Sequence, residues 1–247
     1  WHDEPGLAAD VELELSIRAR RPPAGWSPES PDSADTHQFS GHFITGACDF
    51  VAGRGTFVLH PRDVGMAWQP HHAHDGAKEA AILVAVELLT RRGGLAFHAA
   101  AVRVDKRAFV ICGESGAGKS TLCARVDEGW LGDEWALVAP APEGWVLWRW
   151  AQWHWRWPEE PWQVPLGGML GLAPEREHTR VWPATRADAV AMLIGSAYWL
   201  PWWPTQNLLD AALALANQHP PFWLSHSLNE PVSKLNDALG STLPEGP

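Results

Sequence analysis

Residues 113–121 read Gly-Glu-Ser-Gly-Ala-Gly-Lys-Ser-Thr. Two glycines, a lysine and a hydroxyl residue at these offsets fit G-x-x-x-x-G-K-[ST], a loop that wraps a polyphosphate. No other stretch constrains the fold as much, because such a loop works only between a strand and a helix. Small residues let the backbone close round an anion with successive N–H groups pointing inward. The helix that follows adds the positive end of its dipole. The flanks supply this setting: Arg107–Cys112 reads as a buried strand and Ser120–Val126 as a short helix. The expectation is an α/β chain with a P-loop nucleotide-binding core. Gly113, Glu114, Ser115, Gly116, Ala117, Gly118, Lys119, Ser120 and Thr121 would line the phosphates. Lys119 would reach the β- and γ-phosphates, and the Ser120 hydroxyl would sit on Mg²⁺.

A phosphate loop binds without choosing a reaction. Downstream, Gly129–Glu134 reads as a short strand ending in two acids, Asp133 and Glu134. Adjacent acids are usually a solvated turn. Behind a phosphate loop, one such carboxylate holds Mg²⁺ and another can orient or deprotonate the attacking nucleophile. Upstream, Leu95–Val102 reads as a strand that carries His98 among apolar neighbours. The small residues Ala99, Ala100 and Ala101 leave room beside it for a substrate or a phosphate.

The order His98-Ala99-Ala100-Ala101-Val102, a hairpin, Phe109 to Ser120, then Asp133-Glu134 resembles the HPr kinase/phosphorylase family. It is especially similar to the small HPr-kinase-like proteins of modified-peptide biosynthesis, over about residues 95 to 140. The resemblance implies a core of the phosphoenolpyruvate-carboxykinase-like type and a serine kinase that uses ATP and Mg²⁺. The acceptor it implies is a serine hydroxyl on a protein or a ribosomally made peptide. His98, Asp133, Glu134 and Lys119 become the catalytic residues, and Ser120 and Asp133 the metal ligands. The chain departs from the family in having Asp133-Glu134 where two Asp are usual. The segment from Lys119 to Asp133 is also shorter, and the Arg/Gly-rich motif of bifunctional members is missing, so phosphorylase activity is not expected. These departures motivate an alternative, a non-catalytic nucleotide-gated binding module for a peptide or protein partner.

The remaining sequence divides at about residue 90. Residues 1–90 read as a small β-rich region, with strands at Val11–Ile17, Gln38–Thr45, Cys48–Ala52 and Thr56–His60. A helix from Ala77 to Arg92 ends at Gly93-Gly94. Residues 91–247 hold the core and three further helices, at Thr185–Leu200, Thr205–Gln218 and Val232–Leu239. A formal net charge of -10 with one short basic cluster, Arg18 to Arg21, argues against nucleic acid. No apolar run reaches the roughly 18 residues of a membrane span, and the first residues lack the basic and apolar pattern of a secretory signal. Cys48, Cys112 and Cys123 form no Cys-x-x-Cys pair, so they read as reduced core thiols in a cytoplasm rather than a zinc site. A homo-oligomer is left open.

Three weaker signals remain. Trp145–Trp162 is dense in the 17 tryptophans of the chain, and reads equally as an acceptor groove or as filler. His71-His72-Ala73-His74 reads as an exposed loop more readily than as a metal site. Arg149, Arg156, Arg176, Arg180 and Arg186 are candidates for closing on phosphates. A GTPase is excluded because no Asn-Lys-x-Asp motif occurs.

Overall fold

The N-terminal region forms a four-stranded sheet. Its strands are β1 (Glu12–Ile17), β2 (Thr36–Ser40), β3 (Ile44–Asp49) and β4 (Arg54–Leu59). They lie in the order β1-β4-β3-β2, with β1 parallel to β4 and the other pairs antiparallel. The helix that follows, α1 (Pro70–Arg91), starts at Pro70 rather than at Ala77. Proline suits the first helical position, where its missing N–H has no partner to lose. His72 closes this end: its Nδ1 accepts the Gln69 N–H at 3.0 Å, a capping box with histidine in the third position. The His71–His74 run is therefore helix and not an exposed loop, and His72 is buried against Phe43 and Trp68.

The computed structural model describes residues 12–17, 36–63, 66–126, 129–148, 163–174, 177–200 and 202–242. The chain divides into two compact units, one ending at Ala85 and one starting at Val86. This boundary falls inside α1, ahead of the one read from the sequence after residue 90. Among the described residues no helix is long and apolar enough to cross a membrane. The three cysteines are buried thiols outside any disulfide.

The second unit is a curled sheet with helices on it. Its strands are β5 (Leu95–Phe97), β6 (Ala100–Val104), β7 (Arg107–Cys112), β8 (Trp130–Gly132), β9 (Ala136–Ala141), β10 (Gly144–Trp148), β11 (Gln163–Leu172), β12 (Arg180–Pro183), β13 (Ala197–Tyr198) and β14 (Phe222–Ser225). The path runs β13-β5-β9-β10-β11-β7-β6-β8, with β14 on β11 and β12 on β14. Sequence reading made one strand of 95–102, but the chain breaks at His98-Ala99. The two halves, β5 and β6, stand five strand intervals apart in this order. Five intervals of a flat sheet are about 24 Å, while the three Cα steps from Phe97 to Ala100 span at most about 11 Å. The sheet must therefore curl until these ends meet.

The helices are α2 (Lys119–Arg125), α3 (Arg186–Ser196), α4 (Thr205–Gln218) and α5 (Val232–Gly240). Leu193 of α3 and Leu208, Ala212 and Leu215 of α4 join one core cluster with Leu95, Phe97, Val110 and Val138. Leu122 and Cys123 of α2 and Leu235 and Leu239 of α5 join the other, with Val102, Phe109 and Ile111. Strand β7 lies between the two. It sends Ala108, Val110 and Cys112 to one cluster and Phe109 and Ile111 to the other, which explains its unbroken apolar run.

Candidate functional site

The end of β7 enters the glycine-rich loop, and α2 leaves it. Gly116 and Gly118 have φ of 78° and 98°. A Cβ on Gly116 would meet nothing within 4 Å, so it is the backbone conformation, not space, that selects glycine there. Gly118 is the N-cap of α2, and no side chain caps that terminus. Lys119 is nine-tenths buried. Its Nζ donates to Gly113 O at 2.8 Å and Glu114 O at 3.0 Å. An ammonium has three N–H donors, so the loop carbonyls fix this one in place with a third N–H available for a ligand. Ser115, Ser120 and Thr121 are exposed beside it.

Strand register brings the other candidates to the same edge. β6 is antiparallel to β7, with Ala100 opposite Ile111, so His98 precedes β6 where Gly113 follows β7. β8 is antiparallel to β6, with Ala101 opposite Gly132, so Asp133-Glu134 leave the sheet there too. This is the carboxyl edge of β7, β8 and β11, the edge where open α/β sheets hold ligands. His98 is exposed, and its backbone N–H donates to Ser196 O at 2.8 Å.

Asp133 is half-buried and Oδ1 accepts the Glu134 N–H at 2.9 Å. Its charge reaches Cys123 of α2: burial first, then Asp133, push that thiol up to about 12. Burial likewise raises Cys112 to about 11, against the opposing pull of the Ser196 hydroxyl and the Lys119 ammonium. Both thiols thus stay protonated, which removes them as nucleophiles. Glu134 holds φ at 70°. Among the described residues only Asp105, in the β6–β7 turn, shares positive φ without being glycine. A left-handed Glu is costly, and such strain collects at functional positions.

Sequence reading missed a polar cluster on the other side of the loop. Arg125, the last residue of α2, donates from Nη1 to His226 Nε2 at 2.8 Å and to Ser227 O at 3.1 Å, and from Nη2 to Glu230 O at 2.6 Å. That donation makes Nε2 the acceptor, so the ring proton sits on Nδ1, 3.1 Å from Thr179 Oγ1. His226 lines a narrow cleft of about 20 Å³ with Gly118, Thr121, Leu172 and Leu228. No spacing in the sequence announces this cluster, because His226, Ser227 and Glu230 lie about a hundred residues from Arg125. A larger groove of about 370 Å³ lies at the far end of α2, against Arg103, Asp105 and Asn236. It is remote from the loop and carries none of the candidate residues.

Burial, then the Arg125 charge, hold His226 below its ordinary value, despite Glu230 nearby. Below about pH 6.5 the unfolded chain therefore takes up protons that the folded ring refuses. Stability is full above that pH and falls with acidification. Glu230, held down to about 2 first by its bond with Lys234 and then by the Thr179 N–H, loses its contribution only at far lower pH. The melting temperature is expected to drop between about pH 7.5 and about pH 5.5. His226→Asn should shrink that drop without removing it, since His219 is lowered as well, first by burial and then by Arg107. An unchanged pH slope in the variant would remove His226 from this account.

The remaining candidates separate. Trp145 is a core residue, buried with Leu147 and Val164. Trp148 and Gln163 face each other where β11 begins, at the edge opposite the loop. The tryptophans between them lie outside the described residues, as do Arg149, Arg156 and Arg176. Arg180 sits over the Trp182 ring at 4.8 Å, and Arg186 is exposed on α3. Among the described residues no group of three His, Cys, Asp or Glu is placed to hold a metal ion, the His71–His74 run included.

Compared with known proteins, residues 77–230 match the family model described as SynChlorMet cassette protein ScmC. The match takes in the loop, His98, Asp133, Glu134 and His226, and the chain belongs to this family. No curated protein matches it.

Proposed function

We propose that the chain is a phosphotransferase that moves the γ-phosphoryl group of ATP to a serine hydroxyl on a protein or a ribosomally made peptide. One observation carries this reading: the G-x-x-x-x-G-K-S run lies between β7 and α2, with its lysine held by two loop carbonyls. The acids and histidine at the same edge, and the resemblance to HPr kinase/phosphorylase, support it further. On this reading the second unit is a core of the phosphoenolpyruvate-carboxykinase-like type, working in a reducing cytoplasm that suits three thiols outside any disulfide.

The residues have distinct parts. Loop amides and Lys119 offset the charge on the β- and γ-phosphates. The incoming serine attacks the γ-phosphorus; the new P–O bond forms as the bond to the β–γ bridging oxygen breaks, and ADP leaves. The serine proton passes to the carboxylate of Asp133 or Glu134. His98, exposed beside them, orients the γ-phosphate or the acid. Ser120 Oγ and the Asp133 carboxylate are oxygen donors of the kind Mg²⁺ takes alongside substrate phosphates, and the ion supplies charge neutralisation there when bound. Such a site needs few protein ligands, which fits the donors present.

The test is to add Mg-ATP and serine-containing peptides to the full chain and follow peptide mass. Gain of one phosphoryl group is expected, alongside Mg-ATP binding by calorimetry. Binding with no transfer to any serine would favour the second reading, a nucleotide-gated binding module. The Glu at position 134, where the resembling family has Asp, is the observation behind that second reading.

A further inference from the structure

Two aromatic residues flank the candidate reaction centre, and the phosphate chemistry does not use them. Phe97 of β5 pairs with Ala136 of β9, so the next step of that antiparallel ladder sets His98 across from Trp135. On its other side β5 pairs with β13, Phe97 with Ala197 and Ala96 with Tyr198. The bond from His98 N to Ser196 O continues this pairing. Residues directly opposite in a ladder share a face. His98, Trp135, Ala96 and Tyr198 thus share one face, and Phe97 and Ala136 point the other way into the core. Ala96 is small enough for the two rings to meet across it. They do so edge to face, with centroids 4.8 Å apart and planes at 72°.

The result is an apolar ledge next to Glu134. Tyr198 and Ile194 are each 37% exposed. Gly195 leaves open space, since a Cβ there would meet nothing within 4 Å. The strand order chooses between the two partners that can use aromatic rings, a nucleobase and a peptide. The cleft along Gly118 and Thr121 faces β11 and β14, whereas His98, Asp133 and Glu134 stand on the β6 and β8 side of the loop. A nucleoside leaving past Thr121 goes to the first side, and an acceptor meeting the acids arrives from the second. Asp133 and Glu134 at this ledge, on a chain of net charge -10, repel acidic neighbours.

We propose that Trp135 and Tyr198 seat the acceptor: a polypeptide segment, neutral or basic, whose residue next to the phosphorylated serine carries a large apolar side chain. This rests on the kinase reading above and names its substrate class. Fitting or losing one apolar group in such a seat changes kcat/KM by about 10- to 200-fold.

The experiment uses the full chain, Mg-ATP and a library of serine-centred peptides in which each neighbouring position is varied in turn. Trp135→Ala, Tyr198→Ala and their combination are compared with Trp135→Phe and Tyr198→Phe, and Mg-ATP affinity is measured for each. The wild type is expected to favour Leu, Phe or Trp neighbours over Ser or Glu by at least about tenfold. The alanine variants should raise peptide KM by a similar factor with kcat and Mg-ATP affinity held, and the phenylalanine variants should retain the preference. A flat library from a wild type that phosphorylates serine overturns the seat alone, as does a preference that survives the double variant, whereas a blank library from a wild type that binds Mg-ATP overturns the kinase reading. Loss of Mg-ATP affinity in the alanine variants would reassign the rings to the nucleobase. A wild type that binds no Mg-ATP overturns the nucleotide reading itself.

Discussion

Lys119→Ala is expected to abolish Mg-ATP binding while the fold survives. The ammonium is held over the loop by Gly113 O and Glu114 O, which leaves its third N–H to reach a ligand. A hydrogen bond to a charged group is worth roughly 1.5–3 kcal/mol, and attraction to a highly charged triphosphate adds to it. A loss of about 3 kcal/mol or more is at least about a hundredfold in affinity. The fold loses less. Two loop carbonyls exchange the ammonium for water, the cost of keeping that charge buried is removed with it, and the methyl group of alanine suits a helix start. Calorimetry gives the affinity and a thermal melt gives the stability. Lys119→Arg should fail almost as badly, because a planar guanidinium cannot reproduce a point charge on two carbonyls. Mg-ATP binding that survives both changes would remove the loop from the site.

The strand and helix around the glycine-rich loop were legible because the motif is local. Its spacing, its strand and its helix all lie within residues 107–126, and β7 and α2 formed within a residue of where they were expected. The edge that the loop shares with His98 and Asp133 was not legible, since it depends on β6 and β8 pairing antiparallel in succession. The break at His98-Ala99 was hidden for the same reason. Each half of the run is apolar and strand-like, and only the curl of the sheet forces it to change partners.

Strand β11 escaped notice through composition. Gln163–Leu172 contains Pro165 and three glycines, which normally argue against a strand. Those glycines make room for rings. A Cβ on Gly167 would lie 3.0 Å from Phe109, and one on Gly171 would lie 2.3 Å from Met192 and 2.7 Å from Trp223. Backbone and aromatic faces pack directly, and the strand is held by parallel neighbours on both sides, β7 and β14. The Arg125–His226 pair was equally invisible, because α2 and the end of β14 become neighbours only once that parallel order exists.

Glu134 permits a test in which activity and stability move in opposite directions. An L-residue in the left-handed region costs roughly 1–2 kcal/mol, and glycine adopts it freely at an entropic cost of roughly 0.5–1 kcal/mol. Glu134→Gly should therefore stabilise the chain by about 0.5–1 kcal/mol, read as a higher melting temperature. If the carboxylate accepts the serine proton, the same change removes a general base, and such groups contribute 10²–10⁴-fold. Phosphoryl transfer should then fall by about a thousandfold, near 4 kcal/mol of barrier. Glu134→Gln keeps the side chain and the strain, so it should lose the rate without gaining the stability. Asp133→Asn should lose rate too, and it should also raise the Mg²⁺ concentration needed, if this carboxylate is the metal ligand. A more stable Glu134→Gly chain that still transfers phosphate would move the base to Asp133. Full partner binding and biological activity in the double variant Asp133→Asn, Glu134→Gln would instead favour the binding module, because a strained acid retained for chemistry has no reason to be dispensable.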